Sequence, residues 1–73
     1  MTANICGLNV KRLREEQGLG QVDLAASLTA DFELKIDQSD ISEIERRVRG
    51  VKDFELKAMA ELFDVSVDSL LEE

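Results

Sequence analysis

Apolar residues recur along most of the chain at spacings of three and four positions, which is typical of helices that bury one face. The first such segment runs from about Asn4 to Gln17, and Gly18 follows at a position that suits a helix end. Its inner face is predicted to carry Cys6, Val10, Leu13 and Gln17. A shorter second helix is predicted from Gln21 to Leu28, with Gly20 at its N-cap.

The segment from Thr29 to Ile36 has a different pattern. Phe32, Leu34 and Ile36 alternate with other residues, as in a half-buried extended segment. The stretch is too short and too isolated to form a sheet. We therefore expect a loop with an extended or helical turn, held in place by those three apolar side chains.

A third helix is predicted from Asp37 to Arg46, and Asp37 or Ser39 can cap its unpaired backbone N–H groups. Ile41 and Ile44 are three positions apart, so they share a face, which we assign to the core. The polar side chains of this helix then lie away from the core.

Two further helices complete the predicted fold. Asp53 can cap a fourth helix, which ends at Asp64. The apolar face of this helix is predicted to carry Leu56, Met59, Ala60 and Phe63. A short fifth helix follows Ser66 and returns Leu70 or Leu71 to the core. The pattern therefore predicts an all-α fold of five helices without a strand.

Composition agrees with one small domain over residues 1–73, with 44% hydrophobic residues and only three aromatic ones. Cys6 is the one cysteine and there is no histidine, so neither an internal disulfide nor a zinc site is expected. No apolar run approaches the roughly 20 residues of a membrane span, and the N-terminus lacks a signal-peptide pattern. We expect a cytoplasmic protein with no membrane contact.

The sequence offers little to an enzyme. It has no histidine to act as a base and no glycine-rich phosphate loop, and a single small domain leaves nothing to enclose a substrate. We therefore expect no catalysis and no cofactor, and no small-molecule ligand is evident from the sequence.

The net charge of −7 disfavours a nucleic-acid partner, but the charge is unevenly distributed. Residues 31–45 carry six acidic groups and one basic group, and residues 53–73 carry seven and one. Residues 46–52 carry four basic groups and no acidic one. Because a local patch decides what docks where, this basic cluster keeps a DNA partner possible.

Three ordered blocks of the sequence resemble the lambda-repressor-like (Cro/XRE) helix-turn-helix family, namely VKRLREEQGLGQVDLAASL, ISEIERR and DFELKAMAELFDVSVDSLL. The resemblance covers about Gly7 to Leu71. It implies a five-helix DNA-binding domain whose helix-turn-helix occupies about residues 21–46. In such a domain the third helix enters the major groove of double-stranded DNA, and the second crosses the backbone.

The resemblance also implies roles for individual residues. The base-reading residues would be Gln38, Ser39 and Glu43. The phosphate contacts would be Gln21, Arg46, Arg47, Arg49 and Lys52. Gln38 can pair bidentately with adenine, and Glu43 can either accept from the amino group of cytosine or repel a phosphate. Arg14 and Glu45 fall where the family commonly forms an ion pair between the first and third helices.

The sequence departs from the family pattern in three places. Leu28 and Ile41 are 13 positions apart, so we expect a long-turn variant. Gly20 and Asp64 replace the usual polar cap and glycine terminator. The third helix is also unusually acidic for one that faces DNA.

We therefore expect a sequence-specific transcriptional regulator of a bacterium or phage, bound as a homodimer to a two-fold operator. Its dimer contacts are predicted to be Val65, Val67, Leu70 and Leu71. The alternative is a non-enzymatic protein-binding module of the same fold, whose acidic surface binds a basic partner. A basic cluster beside the exposed face of the third helix favours DNA, whereas a continuous acidic face of Asp37, Asp40 and Glu43 favours a protein.

Overall fold

The computed structural model describes residues 3–73, and within that range the chain forms five α-helices and no strand. They are α1 (Gly7–Glu16), α2 (Gln21–Phe32), α3 (Gln38–Glu45), α4 (Asp53–Phe63) and α5 (Val67–Leu70). The prediction of an all-α, five-helix fold is confirmed.

One apolar core holds all five helices together. Each helix contributes at least one side chain without solvent exposure, represented by Val10, Leu24, Ile44, Met59 and Leu70. Each of these burials stabilises the fold by roughly 1.5–3 kcal/mol relative to an exposed side chain. α3 packs against α1 and α2, so its inner face is fixed from two sides.

The first helix begins later than predicted, at Gly7 rather than Asn4. The Asn4 side chain accepts a hydrogen bond from the Gly7 amide at 2.8 Å and donates to the Ile44 carbonyl at 3.2 Å. These bonds hold Asn4 outside the helix. Gly7 is required at its position because a Cβ there would collide with the Ile44 carbonyl oxygen. Gln17, predicted on the inner face, is exposed at the C-cap.

The second helix is one turn longer than predicted, because it ends at Phe32 and not at Leu28. Glu33 terminates it in the left-handed conformation, with φ of 57°. The Glu33 and Leu34 amides donate to the Thr29 and Leu28 carbonyls at 3.1 and 3.3 Å, which closes the helix end without a glycine. The unusually long sequence separation between Leu28 and the third helix therefore arises largely because α2 continues for another turn.

Residues 33–37 connect α2 to α3 and are anchored by their apolar side chains. Leu34 and Ile36 are 8% and 7% exposed, as predicted for a pinned loop. The Thr29 hydroxyl donates to the Ile36 carbonyl at 3.2 Å, which ties the connection to α2. Phe32 belongs to the helix and packs partly buried against the core.

The remaining helix ends agree with the sequence to within one residue. Lys52, and not Asp53, is the N-cap of α4, and Asp64 ends that helix with φ of 58°. Leu70 is completely buried whereas Leu71 is 38% exposed. The prediction of Leu70 as a dimer contact is therefore wrong, because its side chain is already used in the core.

Candidate nucleic-acid interface

Reciprocal hydrogen bonds at the start of α3 define where this helix begins. Asp37 is the N-cap, and its carboxylate accepts from the Asp40 amide at 3.0 Å. The Asp40 carboxylate in turn accepts from the Asp37 amide at 3.0 Å. This capping box satisfies two N–H groups that the helix itself cannot pair, and it engages both acidic side chains.

The inner face of α3 is fixed by packing and by a buried ion pair. Ile41 and Ile44 are completely buried. Arg14 Nε lies 2.7 Å from Glu45 Oε2, and Arg14 Nη2 lies 3.1 Å from Glu45 Oε1. Arg14 also donates to the Leu19 carbonyl at 2.7 Å. The hydrogen bonds to Glu45 raise the pKa of Arg14 further above its usual range, despite the opposing effect of burial.

A chain of hydrogen bonds continues from this ion pair to the first residue of α3. Gln21 Nε2 donates to Glu45 Oε1 at 3.1 Å. Gln21 Oε1 accepts from Gln38 Nε2 at 3.4 Å. Gln21 therefore connects the N-terminus of α2 to both ends of α3. Its side chain thus has a structural role in this arrangement. Its phosphate contact stays a prediction.

The outer face of α3 is polar and forms a shallow depression. It is lined by Gln38, Ser39, Ser42, Glu43 and Arg46. Gln38, Ser39 and Arg46 are exposed, and Glu43 is half-buried. Arg46 Nε donates to the Ser42 hydroxyl at 3.3 Å. The three predicted base-reading residues thus share one surface, with a single arginine at its end.

Two of the acidic residues near the start of α3 are engaged in contacts within the protein. Asp37 and Asp40 cap the helix, and Asp40 Oδ1 also lies 3.6 Å from Arg49 Nε. Glu43 is the one acidic residue that lines the depression on the outer face. The depression thus holds one acidic residue, Glu43, and one basic residue of the 46–52 cluster, Arg46.

The four basic residues of the 46–52 cluster lie in different environments. Arg46 adjoins the outer face of α3, whereas Arg47 lines a separate depression with Leu8 and Asn9 of α1. Arg49 is held by Glu55 through two hydrogen bonds of 3.0 and 2.8 Å. The structure therefore disperses what the sequence presented as one patch.

Lys52 is the fourth basic residue of this cluster. It is exposed, and its ammonium group lies 5.7 Å from the centre of the Phe54 ring. Among the four, Arg46 and Lys52 are exposed, while Arg47 and Arg49 are half-buried.

Two contacts at this interface were not predicted from the sequence, those of Asn4 and Glu55. Asn4 donates to the Arg49 carbonyl at 2.7 Å, and Glu55 pairs with the Arg49 side chain. Glu55 is 3% exposed although it is charged. A glutamate three positions after the helix N-cap is the sequence signal that could have drawn attention to it.

The pair of α2 and α3, joined by residues 33–37 and with a polar exposed face on α3, defines a helix-turn-helix DNA-binding domain. The family model described as Helix-turn-helix matches residues 10–70. The chain belongs to this family, whose members bind DNA and regulate transcription, and the lambda-repressor-like assignment is confirmed. It is a DNA-binding family and not ordinarily an enzymatic one.

No curated protein and no solved structure matches the chain. Within residues 3–73, none of the helices has both the length and the apolar character needed to span a membrane.

Proposed function

We propose that this protein is a sequence-specific transcriptional regulator that inserts α3 into the major groove of its operator. The observation that carries the proposal is the division of α3 into two faces. Its inner face is locked by Ile41, Ile44 and the Glu45 ion pair, and its outer face presents polar side chains. A rigid helix with exposed hydrogen-bonding groups is what direct reading of base edges requires.

Three side chains are proposed to read bases. The Gln38 amide matches the donor and acceptor pattern of adenine, and its contact with Gln21 orients it. The Ser39 hydroxyl donates or accepts according to the base it meets. Glu43 accepts from the amino group of cytosine, and as an anion it disfavours positions where a phosphate approaches.

Phosphate contacts are proposed for the basic cluster, with Arg46 and Lys52 contributing most. Both are exposed, and Arg46 stands at the end of the reading face. Arg47 and Gln21 take secondary parts, since each is half-buried among other contacts. Arg49 already has carboxylate partners, so its share of the attraction to DNA is the smallest.

A homodimer on a two-fold operator completes the proposal. One recognition helix covers only a few base pairs, and paired half-sites are about one helical turn apart in such complexes. Val65, Val67 and Leu71 remain as candidate dimer contacts because each keeps some solvent exposure.

Selection of random duplex DNA at two salt concentrations tests the proposed function. We expect an enriched motif with two-fold symmetry and an affinity that falls as salt rises, because phosphate contacts release counterions. If no motif is enriched and no salt-dependent binding occurs, the proposed function is wrong. Enrichment of a motif without two-fold symmetry would contradict the homodimer alone.

A further inference from the structure

The loop of residues 46–52, which we call the α3–α4 loop, is held from outside by two side chains. One is Glu55 in the first turn of α4, and the other is Asn4 before α1. Both contact Arg49 or its backbone, although neither belongs to the loop. Arg49 is therefore the point at which three parts of the chain meet.

Glu55 is the more deeply buried of the two. Its side chain is 4% exposed, and its carboxylate accepts two hydrogen bonds from Arg49, at 3.0 and 2.8 Å. It also accepts from the Lys52 amide at 3.0 Å, which fixes the end of the α3–α4 loop. One carboxylate thus holds both Arg49 and Lys52 in place.

Arg49 extends this contact to the start of the reading helix. Its Nε lies 3.6 Å from Asp40 Oδ1, and Asp40 belongs to the first turn of α3. The first turn also contains Gln38 and Ser39, the proposed base-reading residues. The Arg14–Glu45 pair holds the last turn of the same helix, so α3 has an ionic contact at each end.

Asn4 supports the end of α3 and the α3–α4 loop without any charge. Its amide donates to the Ile44 carbonyl at the end of α3 and to the Arg49 carbonyl, at 3.2 and 2.7 Å. The Ala3 amide adds a bond to the Arg47 carbonyl at 3.1 Å. The segment before α1 therefore fixes the backbone of the loop while Glu55 fixes its side chain.

We infer that Glu55, Arg49 and Asn4 are positioning residues that orient α3 for base reading, an inference that rests on the proposed function. Glu55 and Arg49 act on the first turn through Asp40, and Asn4 acts on the last turn through the Ile44 carbonyl. Glu55 is buried and so offers no group to a base, and as an anion it opposes DNA by simple electrostatics. Its benefit comes from preorganisation, since a reading helix displaced by even a small distance loses the geometry of its base contacts.

Two substitutions on α4 separate positioning from electrostatics. Glu55→Gln and Glu61→Gln each remove one negative charge, but Glu61 is exposed whereas Glu55 holds Arg49. The quantity to measure is the specificity ratio. It is the affinity for the duplex that the wild-type protein selects, divided by the affinity for a scrambled duplex of equal composition. We expect Glu55→Gln to lower this ratio by about fivefold, the lower limit of what one base contact contributes. Glu61→Gln should leave it unchanged.

The electrostatic alternative predicts the opposite result. If Arg49 is a phosphate contact that Glu55 merely masks, Glu55→Gln frees it and strengthens binding to both duplexes, with an unchanged ratio. That result overturns the inference and leaves the proposed function intact. A wild-type protein that binds neither duplex overturns both.

Asn4→Ala provides a second variant in case Glu55→Gln does not fold, as judged by circular dichroism. It removes the bonds to the Ile44 and Arg49 carbonyls and the bond from the Gly7 amide, without changing any charge. We expect the same direction of change, a lower specificity ratio with little effect on binding to the scrambled duplex. An unchanged ratio in a folded Asn4→Ala protein contradicts the inference.

Discussion

Arg14 and Arg49 each face a buried glutamate, Glu45 and Glu55, whose side chains are both 4% exposed. In each pair the guanidinium binds the two carboxylate oxygens separately, with the shorter contact at 2.7 or 2.8 Å. Such pairs contribute orientation more reliably than stability, because desolvation offsets much of the attraction. Removing one partner is costly, because the other charge is left buried and unpaired.

The Glu55 carboxylate also makes stability depend on pH. Burial acts to raise its pKa, but the hydrogen bonds from Arg49 and from the Lys52 amide outweigh burial, and the pKa lies below its ordinary value of 4.5. Because the folded-state pKa is the lower one, folding favours the ionised form. This contribution is present above pH 4.5 and is lost as pH falls through the folded-state value.

Urea denaturation at about pH 7 and about pH 3 tests this dependence. We expect the free energy of unfolding to fall between the two conditions, and to fall less in Glu55→Gln than in wild type. Glu61→Gln is the matched control, because it removes the same charge from an exposed position. If the free energy of unfolding falls by the same amount in wild type, Glu55→Gln and Glu61→Gln, this role of Glu55 is contradicted.

Sequence and structure agree on the inner face of α3 and differ on the basic cluster, for physical reasons. Ile41 and Ile44 were predictable because helical periodicity alone determines which side faces the core. Arg49 was assigned to phosphate because the family resemblance places the basic residues after the third helix against the DNA backbone. Its contact with Glu55 spans a loop and a helix start, so it depends on the backbone path between them and not on local spacing.

Among the structural elements, the connection between α2 and α3 has the bounds that the sequence predicted least accurately. Alternating Phe32, Leu34 and Ile36 indicated a loop from Thr29 onward. The helix instead continues to Phe32, whose ring packs against the core, and the alternation applies only after Glu33. The helix ends where Glu33 adopts the left-handed conformation, which alternation of apolar residues does not reveal.

Glu33 ends α2 in a left-handed conformation that favours glycine, with φ of 57°. We expect Glu33→Gly to raise the free energy of unfolding by up to about 1 kcal/mol, because an L-residue pays about that to adopt this conformation. The greater freedom of glycine in the unfolded chain offsets part of the gain. Urea denaturation at neutral pH measures the change.

Asp64 supplies the matched comparison, since it ends α4 with φ of 58°. Aspartate tolerates the left-handed region better than most residues, so Asp64→Gly should stabilise less than Glu33→Gly. A decrease in stability on Glu33→Gly would show that the Glu33 side chain contributes more than its backbone strain costs.

At the scale of the whole molecule, a net charge of −7 must be reconciled with a DNA partner. Exposed charges more than about 10 Å apart are largely screened at moderate salt, so the total matters less than the groups beside the interface. Arg46 adjoins the reading face, while Asp37 and Asp40 are engaged in capping. The charges beside the reading face, and not the net charge, therefore determine the electrostatic part of the proposed interaction with DNA.

The central proposal, that the outer face of α3 reads bases, is tested most directly by selecting random duplex DNA with wild type and Gln38→Ala in parallel. Gln17→Ala is the matched control, because its amide bonds to the Phe63 carbonyl and not to α3. We predict that Gln38→Ala loses preference at one base pair of each half-site, about 1–3 kcal/mol, and keeps the others. If Gln38→Ala selects the same motif as wild type and Gln17→Ala, α3 does not read DNA through Gln38 and the proposal is contradicted.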